Sequence, residues 1–183
     1  PANAIFRASH FLENFGTVAS LAQMLNIPEK ILQKTAQEFH GLEHRCEFFT
    51  EKNGIIFYDD AISTNPDSTL AALRYFGYNL GTIILGGQDR SQNFDRLISE
   101  LEKFETQIIV FQSEVSQRLM ETLDFYEKVQ LVDNLETAIK KAFLITPKGK
   151  ICLLSTAAPS FGIWKNYQEK GRQFKEFVLQ YDS

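Results

Sequence analysis

The sequence predicts an α/β fold in which helices cover both faces of a mostly parallel sheet. Three patterns support this prediction. Strand-like and helix-like stretches alternate from residue 55 onward, at lengths typical of parallel strands joined by right-handed crossovers. Lys52-Asn53-Gly54 separates two apolar runs and predicts an antiparallel hairpin at the start of the sheet. Between residue 8 and Gly41 the pattern is helical only, with two helices too short to enclose a core of their own.

The composition is that of a globular domain with a substantial core. The 183 residues are 44% hydrophobic and 23% charged, and the net charge is −4. Lysines and arginines are scattered, which argues against nucleic acid or an anionic membrane surface as a partner. No apolar run approaches the roughly 20 residues that span a bilayer, so we expect a cytoplasmic protein. Cys46 and Cys152 lie far apart and predict reduced thiols.

The first 42 residues predict a separate piece of structure. Residues 1–8 look like the end of a strand that arrives from elsewhere, and the helix after them stops at Asn26-Ile27-Pro28. Pro28 opens a second helix, which should end with Gly41 as its C-cap. We therefore predict a boundary between residues 1–42 and 43–183. Apolar residues recur at helical spacing in the first helix, at Phe11, Phe15, Val18, Leu21 and Leu25. The buried face of the second helix should carry Ile31, Leu32 and Ala36.

The second piece carries the alternating pattern. Its predicted strands cover residues 45–51, 55–58, 81–85, 107–111, 129–132 and 149–154. One predicted helix begins at Pro66, and the others cover residues 94–103, 115–123, 135–143 and 168–179. Sheets of this kind bind ligands at the carboxyl ends of their strands. The polar residues that follow each strand are therefore the candidate site.

The most informative of these polar stretches is residues 58–69, which read YDDAISTNPDST. Asp59 and Asp60 end a predicted strand, and hydroxyl and amide side chains then lead into a helix. A turn that gathers hydroxyls and unpaired backbone N–H groups is suited to an anion. Helix capping by Asn65 or Thr64 explains part of the same pattern without a ligand. It does not explain two carboxylates at the end of a strand.

Three further polar groups follow predicted strands, at residues 86–90, 113–114 and 155–160. The pair Gly86-Gly87 lets the backbone approach a ligand closely, although such a pair also occurs in plain turns. Arg90 could hold a carboxylate with its two-pronged guanidinium, or it could be a solvated surface charge. The hydroxyls of Ser155, Thr156 and Ser160 could line an anion nest or cap the final helix.

Several other kinds of site are not indicated. His10, His40 and His44 lack the spacing of metal ligands, and no Ser-His-Asp or Cys-His arrangement can be inferred. No GxxxxGK[ST] loop occurs, so the chain lacks that means of holding ATP phosphates. His44-Arg45 lies just beyond the predicted boundary, where the arginine is well placed to reach a phosphate on a neighbouring domain.

Five segments of the sequence carry a recognisable set of motifs: HFLEN (10–14), GLEHRCEF (41–48), YDDAISTNPDSTLAAL (58–73), LGGQDRSQNF (85–94) and LSTAAPSFGIWKNYQEKGRQF (154–174). Taken together, they resemble the Mur ligase family, in the order in which that family carries them. GGxD followed by a basic residue, and the S-x-A-x-x-S ending, favour the branch that adds D-glutamate, and the DNPR motif of the diaminopimelate-adding branch is absent. Arg90 stands where this branch commonly has lysine, and Tyr167 where it has phenylalanine.

The resemblance implies a C-terminal, Rossmann-like domain that follows the last two helices of a central ATPase domain. The implied reaction belongs to peptidoglycan precursor synthesis, and hence to cell shape and division. ATP phosphorylates the carboxylate of UDP-N-acetylmuramoyl-L-alanine, and the amine of D-glutamate attacks the acyl phosphate. ATP and Mg²⁺ would be held mainly by the upstream domains. This chain would then be inactive by itself, with no catalytic residue and no metal ligand of its own.

The resemblance also assigns binding roles to eight residues. Asn14 and His44 match contacts to the adenine side of the nucleotide. Arg45 matches the residue that reaches the ATP phosphates, and Asp60 the one that holds the ribose. The residues that match the D-glutamate site are Thr64, Arg90, Ser160 and Tyr167.

Two other interpretations stay open. A Mur-type ligase for another amino acid is one, because Arg90 preserves the charge of a lysine but not its shape. The other is a free-standing Rossmann-like binding module without catalysis, which would bind its ligand with no upstream partner. A phosphate-loop motif in the gene upstream of Pro1 would decide for the ligase.

Overall fold

A computed structural model describes residues 9–123 and 127–182, and the chain divides into two compact units, Pro1–Leu42 and Glu43–Ser183. The strand predicted over residues 1–8 lies outside the described residues. In the first unit, α1 spans Ser9–Met24 and α2 spans Glu29–Glu38, directly after Pro28. The assignment of this unit to a central ATPase domain stays a prediction.

Two expectations for α2 are wrong. Its C-cap is Phe39, in an extended conformation, whereas Gly41 adopts a φ of 88° two residues later. None of its residues is buried, and Ile31 is 55% exposed, so the predicted buried face is not covered. The physical reason is that an amphipathic helix buries its apolar stripe only where another element packs on it.

The second unit is the predicted α/β domain, and its fold class is confirmed. The strands are β1 (Glu47–Lys52), β2 (Ile55–Asp59), β3 (Leu80–Leu85), β4 (Gln107–Phe111), β5 (Val129–Val132) and β6 (Ile151–Leu154). The helices are α3 (Pro66–Phe76), α4 (Asp95–Leu101), α5 (Ser116–Thr122), α6 (Leu135–Ile145) and α7 (Tyr167–Gln180), with a short 3-10 helix at Gly77–Asn79.

The six strands found among the described residues form one sheet in the order β1-β2-β6-β3-β4-β5. All neighbouring pairs are parallel except the β1-β2 hairpin. Asn53 and Gly54 make the hairpin turn with φ values of 55° and 77°, the conformation that an Asn-Gly pair favours. The last strand, β6, lies between β2 and β3. The carboxyl ends of β2, β6, β3, β4 and β5 therefore share one edge.

Alternate side chains of the strands enter two separate cores, one on each face of the sheet. On one face, Ile83 and Leu85 pack with residues of α3, α4 and α5. On the other face, Ile84 packs with residues of α6 and α7. Both cysteines are free thiols, as predicted. Within the described ranges, no helix combines the length and hydropathy that crossing a membrane would require.

Candidate functional site

The four polar loops predicted from the sequence lie together at the carboxyl edge of the sheet. Hydrogen bonds join them from loop to loop, so this edge is one continuous structure. We call it the rim, and it comprises residues 59–65, 86–93, 112–114 and 155–160. The connecting bonds are Ser155 Oγ to Asp60 Oδ2 (2.7 Å), Gly86 N to Thr156 O (3.2 Å), Gln88 N to Pro159 O (2.8 Å) and Gly87 N to Ser113 Oγ (3.0 Å).

The glycine pair is explained by the packing of these loops. A Cβ on Gly86 would lie 2.7 Å from the ring of Phe111, and one on Gly87 would lie 2.4 Å from the carbonyl oxygen of Pro159. Their φ values are 142° and 144°, which side-chain-bearing residues rarely adopt. The pair therefore brings the rim loops into contact, whether or not a ligand binds there.

Asp60 is the centre of a buried hydrogen-bond network. Its Oδ1 accepts from the backbone N–H of Cys46 at 3.0 Å, and its Oδ2 accepts from the Ser155 hydroxyl at 2.7 Å. The Thr69 hydroxyl lies 2.9 Å from that of Ser155. Burial raises the pKa of Asp60 to about 6, although the hydrogen bonds from Ser63, Ser155 and Cys46 oppose the shift. The side chain is 1% exposed and both of its oxygens are engaged.

Asp59 belongs to a second cluster of charged groups. Its Oδ2 lies 2.6 Å from Nδ1 of His44, and its Oδ1 accepts from the backbone N–H of Ala61 at 2.9 Å. His44, Glu47 and Asp59 together could offer three ligand atoms to a metal ion. However, the ammonium of Lys175 lies 2.8 and 2.7 Å from the two oxygens of Glu47, and 3.5 Å from Asp59. The ammonium of Lys175 already contacts both carboxylates, so a divalent cation at this cluster would have to displace it.

Lys170 is a buried residue that the sequence analysis did not select. It lies in the first turn of α7 and is 0% exposed. Its ammonium donates to the hydroxyl of Thr156 at 2.5 Å, and that hydroxyl lies 3.1 Å from the carbonyl oxygen of Ala158. Burial lowers the pKa of Lys170 to about 7, while the nearby charges of Asp59 and Asp60 act in the opposite direction. Lys170 thus joins α7 to the loop after β6 and to the acidic turn.

A signal for Lys170 was present in the sequence. The buried residues of α7 include Phe174 and Val178, which follow Lys170 at intervals of four. Residues at this spacing share one face of a helix. A lysine on the apolar face of a helix is a candidate for a buried charge, and a search along that face would have found it.

The pH dependence of stability should reveal the buried lysine. Above pH 7 the folded chain holds fewer protons at Lys170 than the unfolded chain, whose lysine has the ordinary pKa of 10.5. Raising the pH from 7 to 10 should therefore increase the free energy of unfolding through this group. We expect Lys170→Met to remove that increase and Lys165→Met, at an exposed position, to retain it. Urea unfolding at several pH values measures both, and parallel wild-type and Lys170→Met profiles would contradict the expectation.

Asp60 should have the opposite effect at lower pH, where it should make the free energy of unfolding fall as the pH rises. Between its ordinary pKa of 3.8 and its folded value of about 6, the folded chain holds more protons than the unfolded chain. This contribution to stability is present at acidic pH and is lost as the pH rises through 6.

The predicted nucleotide residues occupy different settings. His44 is 4% exposed, with a φ of 62° and its ring edge-on to that of Tyr167 at 5.9 Å between centroids. Arg45 beside it is half-buried. Asn14 is exposed on α1 in the first unit. The structure therefore brings His44 close to a predicted substrate residue, Tyr167.

The predicted D-glutamate residues all belong to the rim or to α7. Thr64 is half-buried and precedes Asn65, which caps α3 by accepting from Ser68 N. Ser160 is 2% exposed, and its Oγ has no hydrogen-bond partner within the described part of the chain. The guanidinium of Arg90 is exposed and lies 5.5 Å from the ring centroid of Phe161, next to Ser160. The capping interpretation of Asn65 is thus confirmed, while the ligand roles stay predictions.

The fold and the rim define a class of protein, the Rossmann-like α/β domain whose binding edge is formed by the carboxyl ends of parallel strands. A more specific assignment comes from similarity to known proteins. The family described as Mur ligase, glutamate ligase domain matches residues 44–158. The chain therefore belongs to the Mur ligase family.

Curated relatives carry a common name. The chain is 34% identical over 174 residues to the UDP-N-acetylmuramoylalanine--D-glutamate ligase of Caldanaerobacter subterraneus, covering 93% of this chain and 38% of the relative. It is 31% identical over 178 residues to the ligase of that name from Aquifex aeolicus, covering 97% and 43%. The chain thus spans about two fifths of the length of these relatives.

Solved structures show the same fold. UDP-N-acetylmuramate-alanine ligase MurC from Thermotoga maritima superposes with a TM-score of 0.68 at 17% identity, covering 93% of this chain and 38% of that one. Folylpolyglutamate synthase from the same organism superposes with a TM-score of 0.60 at 17% identity, covering 93% and 39%. At these identities the likeness concerns the fold and not the substrate.

Proposed function

We propose that this chain is the C-terminal, amino-acid-binding part of an ATP-dependent ligase that adds D-glutamate to UDP-N-acetylmuramoyl-L-alanine. The observation that carries the proposal is the similarity to ligases of that name over more than nine tenths of the chain. The part of those relatives that this chain does not cover would supply the UDP-binding and ATPase domains. Residues 1–42 would be the end of the ATPase domain, and residues 43–183 the Rossmann-like domain.

The geometry of the rim supports D-glutamate as the ligand. A dicarboxylate needs a cation, hydroxyl donors and helix N-termini on one surface. Arg90 offers the cation, and Ser160 offers a buried hydroxyl with no partner among the described residues. Thr64 lies at the N-terminus of α3, and Tyr167 is the first residue of α7. In this proposal the four side chains hold the two carboxylates and leave the amine directed away from the domain.

The remaining chemistry would take place against the upstream domains. A carboxylate oxygen of UDP-N-acetylmuramoyl-L-alanine attacks the γ-phosphorus of ATP, and ADP leaves. The amine nitrogen of D-glutamate then attacks the acyl carbon, phosphate leaves, and the nitrogen loses a proton. Holding the amine near the acyl phosphate is the contribution of this chain, an effect of proximity. ATP and Mg²⁺ would be bound mainly by the upstream domains. The reaction would take place in the cytoplasm.

On the nucleotide side, we keep Asn14, His44, Arg45 and Asp60 as the proposed contacts. His44 and Asp60 are buried and already bonded to other groups. A direct contact from Asp60 to a ribose would therefore require the turn after β2 to open on binding. Arg45 is half-buried at the start of the second unit.

A comparison of the isolated chain with the full-length protein tests the proposal. We expect the isolated chain to hydrolyse no ATP, and the full-length protein to release phosphate from ATP only when both D-glutamate and UDP-N-acetylmuramoyl-L-alanine are present. The gene upstream of residue 1 should encode a GKT-type phosphate loop. ATP turnover by the isolated chain at the rate of a ligase would contradict the proposal.

A related ligase for another amino acid is the second candidate, because Arg90 differs in shape from the lysine of the D-glutamate branch. Assaying the full-length protein with D-glutamate, L-glutamate, diaminopimelate and L-alanine separates the two. Saturable binding of a ligand by the isolated chain, combined with no ligase activity of the full-length protein, would favour a binding module.

A further inference from the structure

The loop that carries Arg90 is held in shape by its own side chains. The backbone N–H of Arg90 donates to Oε1 of Gln92 at 2.8 Å, and its Nε donates to Oε1 of Gln88 at 3.0 Å. The backbone N–H of Ser91 donates to Oδ1 of Asp89 at 2.7 Å, and Ser91 adopts a φ of 57°. Asp89 and Gln92 therefore determine the path of the backbone on both sides of Arg90.

Arg118 of α5 contacts the same two side chains from outside the loop. Its Nη2 donates to Oδ1 of Asp89 at 2.5 Å and lies 3.3 Å from Oε1 of Gln92. Its guanidinium carbon lies 5.2 Å from the ring centroid of Phe94, at the end of the loop. One guanidinium thus binds both oxygens that receive the backbone N–H groups of Arg90 and Ser91.

We propose that Arg118 is a positioning residue for Arg90, and that the aspartate of the GGxD motif serves to transmit this restraint. The inference rests on the proposed function, in which Arg90 holds a carboxylate of the amino acid. Arg118 itself does not need to touch the substrate. With Arg118 in place, the loop is already ordered before the substrate arrives, so binding does not have to order it.

The arrangement also fits an arginine at position 90 better than a lysine. Gln88 receives the Nε–H of Arg90 on one side, and the ring of Phe161 lies 5.5 Å from its guanidinium carbon. A planar guanidinium can use both contacts at once, whereas an ammonium has no Nε–H and no flat face. Arg118 therefore restrains the backbone at Arg90, whereas Gln88 and Phe161 contact its guanidinium.

A purely structural role for Arg118 makes different predictions. The side chains of Arg118 and Asp89 are 35% and 32% exposed, so their ion pair would contribute little to stability. Losing it would lower Tm slightly and would leave the KM of each substrate unchanged. Steady-state kinetics of the full-length protein therefore separates positioning from stability.

The experiment compares Arg90→Ala, Arg118→Met, Asp89→Asn and the double variant Arg90→Ala/Arg118→Met. We expect Arg118→Met and Asp89→Asn each to raise the KM for D-glutamate by about tenfold, with less than a twofold change for ATP. The double variant should match Arg90→Ala within about twofold, because residues that act as a unit are not additive. Arg74→Met is the control, since Arg74 pairs with Glu100 elsewhere on the surface.

Each outcome is decisive. An unchanged KM for D-glutamate in both Arg118→Met and Asp89→Asn overturns the positioning role, as does a multiplicative effect in the double variant. An equal rise in the KM of D-glutamate and ATP also overturns it. If Arg90→Ala leaves the KM for D-glutamate unchanged, the proposed function of the rim fails at an earlier step. Asp89→Asn retains the size of the side chain, so it supplies the test should Arg118→Met not fold.

Discussion

Replacing Arg90 by alanine in the full-length protein is expected to raise the KM for D-glutamate by roughly ten- to a hundredfold. Losing a hydrogen bond to a charged group costs about 1.5–3 kcal/mol, and each 1.4 kcal/mol corresponds to a factor of ten. The KM for ATP should change by less than twofold, because Arg90 is a proposed contact to D-glutamate and not to the nucleotide. Initial rates of phosphate release at varied D-glutamate and ATP concentrations measure both values.

Arg74→Ala provides the matched control for this variant. Arg74 is an exposed arginine that binds Glu100 and lies outside the rim, so its loss should leave both KM values unchanged. A D-glutamate KM that stays at the wild-type value in Arg90→Ala would remove Arg90 from the site. A rise of similar size in both variants would indicate a general effect of surface charge.

Introducing a methyl group at Gly171 is expected to produce a large loss of stability. A Cβ at this position would lie 2.2 Å from Nδ1 of His44 and 2.7 Å from Oδ2 of Asp59. Both side chains are buried and bonded to each other, so neither can move away without breaking that bond. We expect Gly171→Ala to lower the free energy of unfolding by about 3 kcal/mol. For a chain of this size, that corresponds to a fall of roughly 6–12 °C in Tm.

The fluorescence of Trp164, the single tryptophan, reports unfolding of the second unit in urea. Gly16→Ala is the control, because a Cβ at Gly16 meets no atom within 4 Å and Gly16 lies in α1. It should leave the Trp164 transition unchanged and favour α1 by up to about 1 kcal/mol. A Trp164 transition in Gly171→Ala at the wild-type urea concentration would show that the His44–Asp59 pair can move aside.

Local patterns in the sequence predicted most of the second unit. The Asn53-Gly54 turn, the Asn65 cap and the apolar runs of each strand depend on residues that are close in the chain, and all three are present. The grouping of the polar loops followed from the rule that parallel strands end at one edge. These features need no knowledge of which strands are neighbours.

The features that the sequence did not predict depend on contacts between distant residues. The Ser155–Asp60 bond joins residues 95 positions apart, and it exists because β6 lies next to β2. The contacts of Lys170 could not be predicted either, because Thr156 and the two aspartates converge on it only in the folded domain. The C-cap of α2 was misplaced because Gly41 has the favoured residue type but lies too far along the chain.

The position of β6 also has a consequence for how the domain is made. β2 and β3 have no direct pairing with each other, since Ile151–Leu154 occupies the place between them. During synthesis the chain must therefore leave the ribosome as far as β6 before this sheet can close. Until then, one edge of β2 and one edge of β3 would lack their partner. Unpaired strand edges of this kind promote aggregation and are a reason why nascent chains need chaperones.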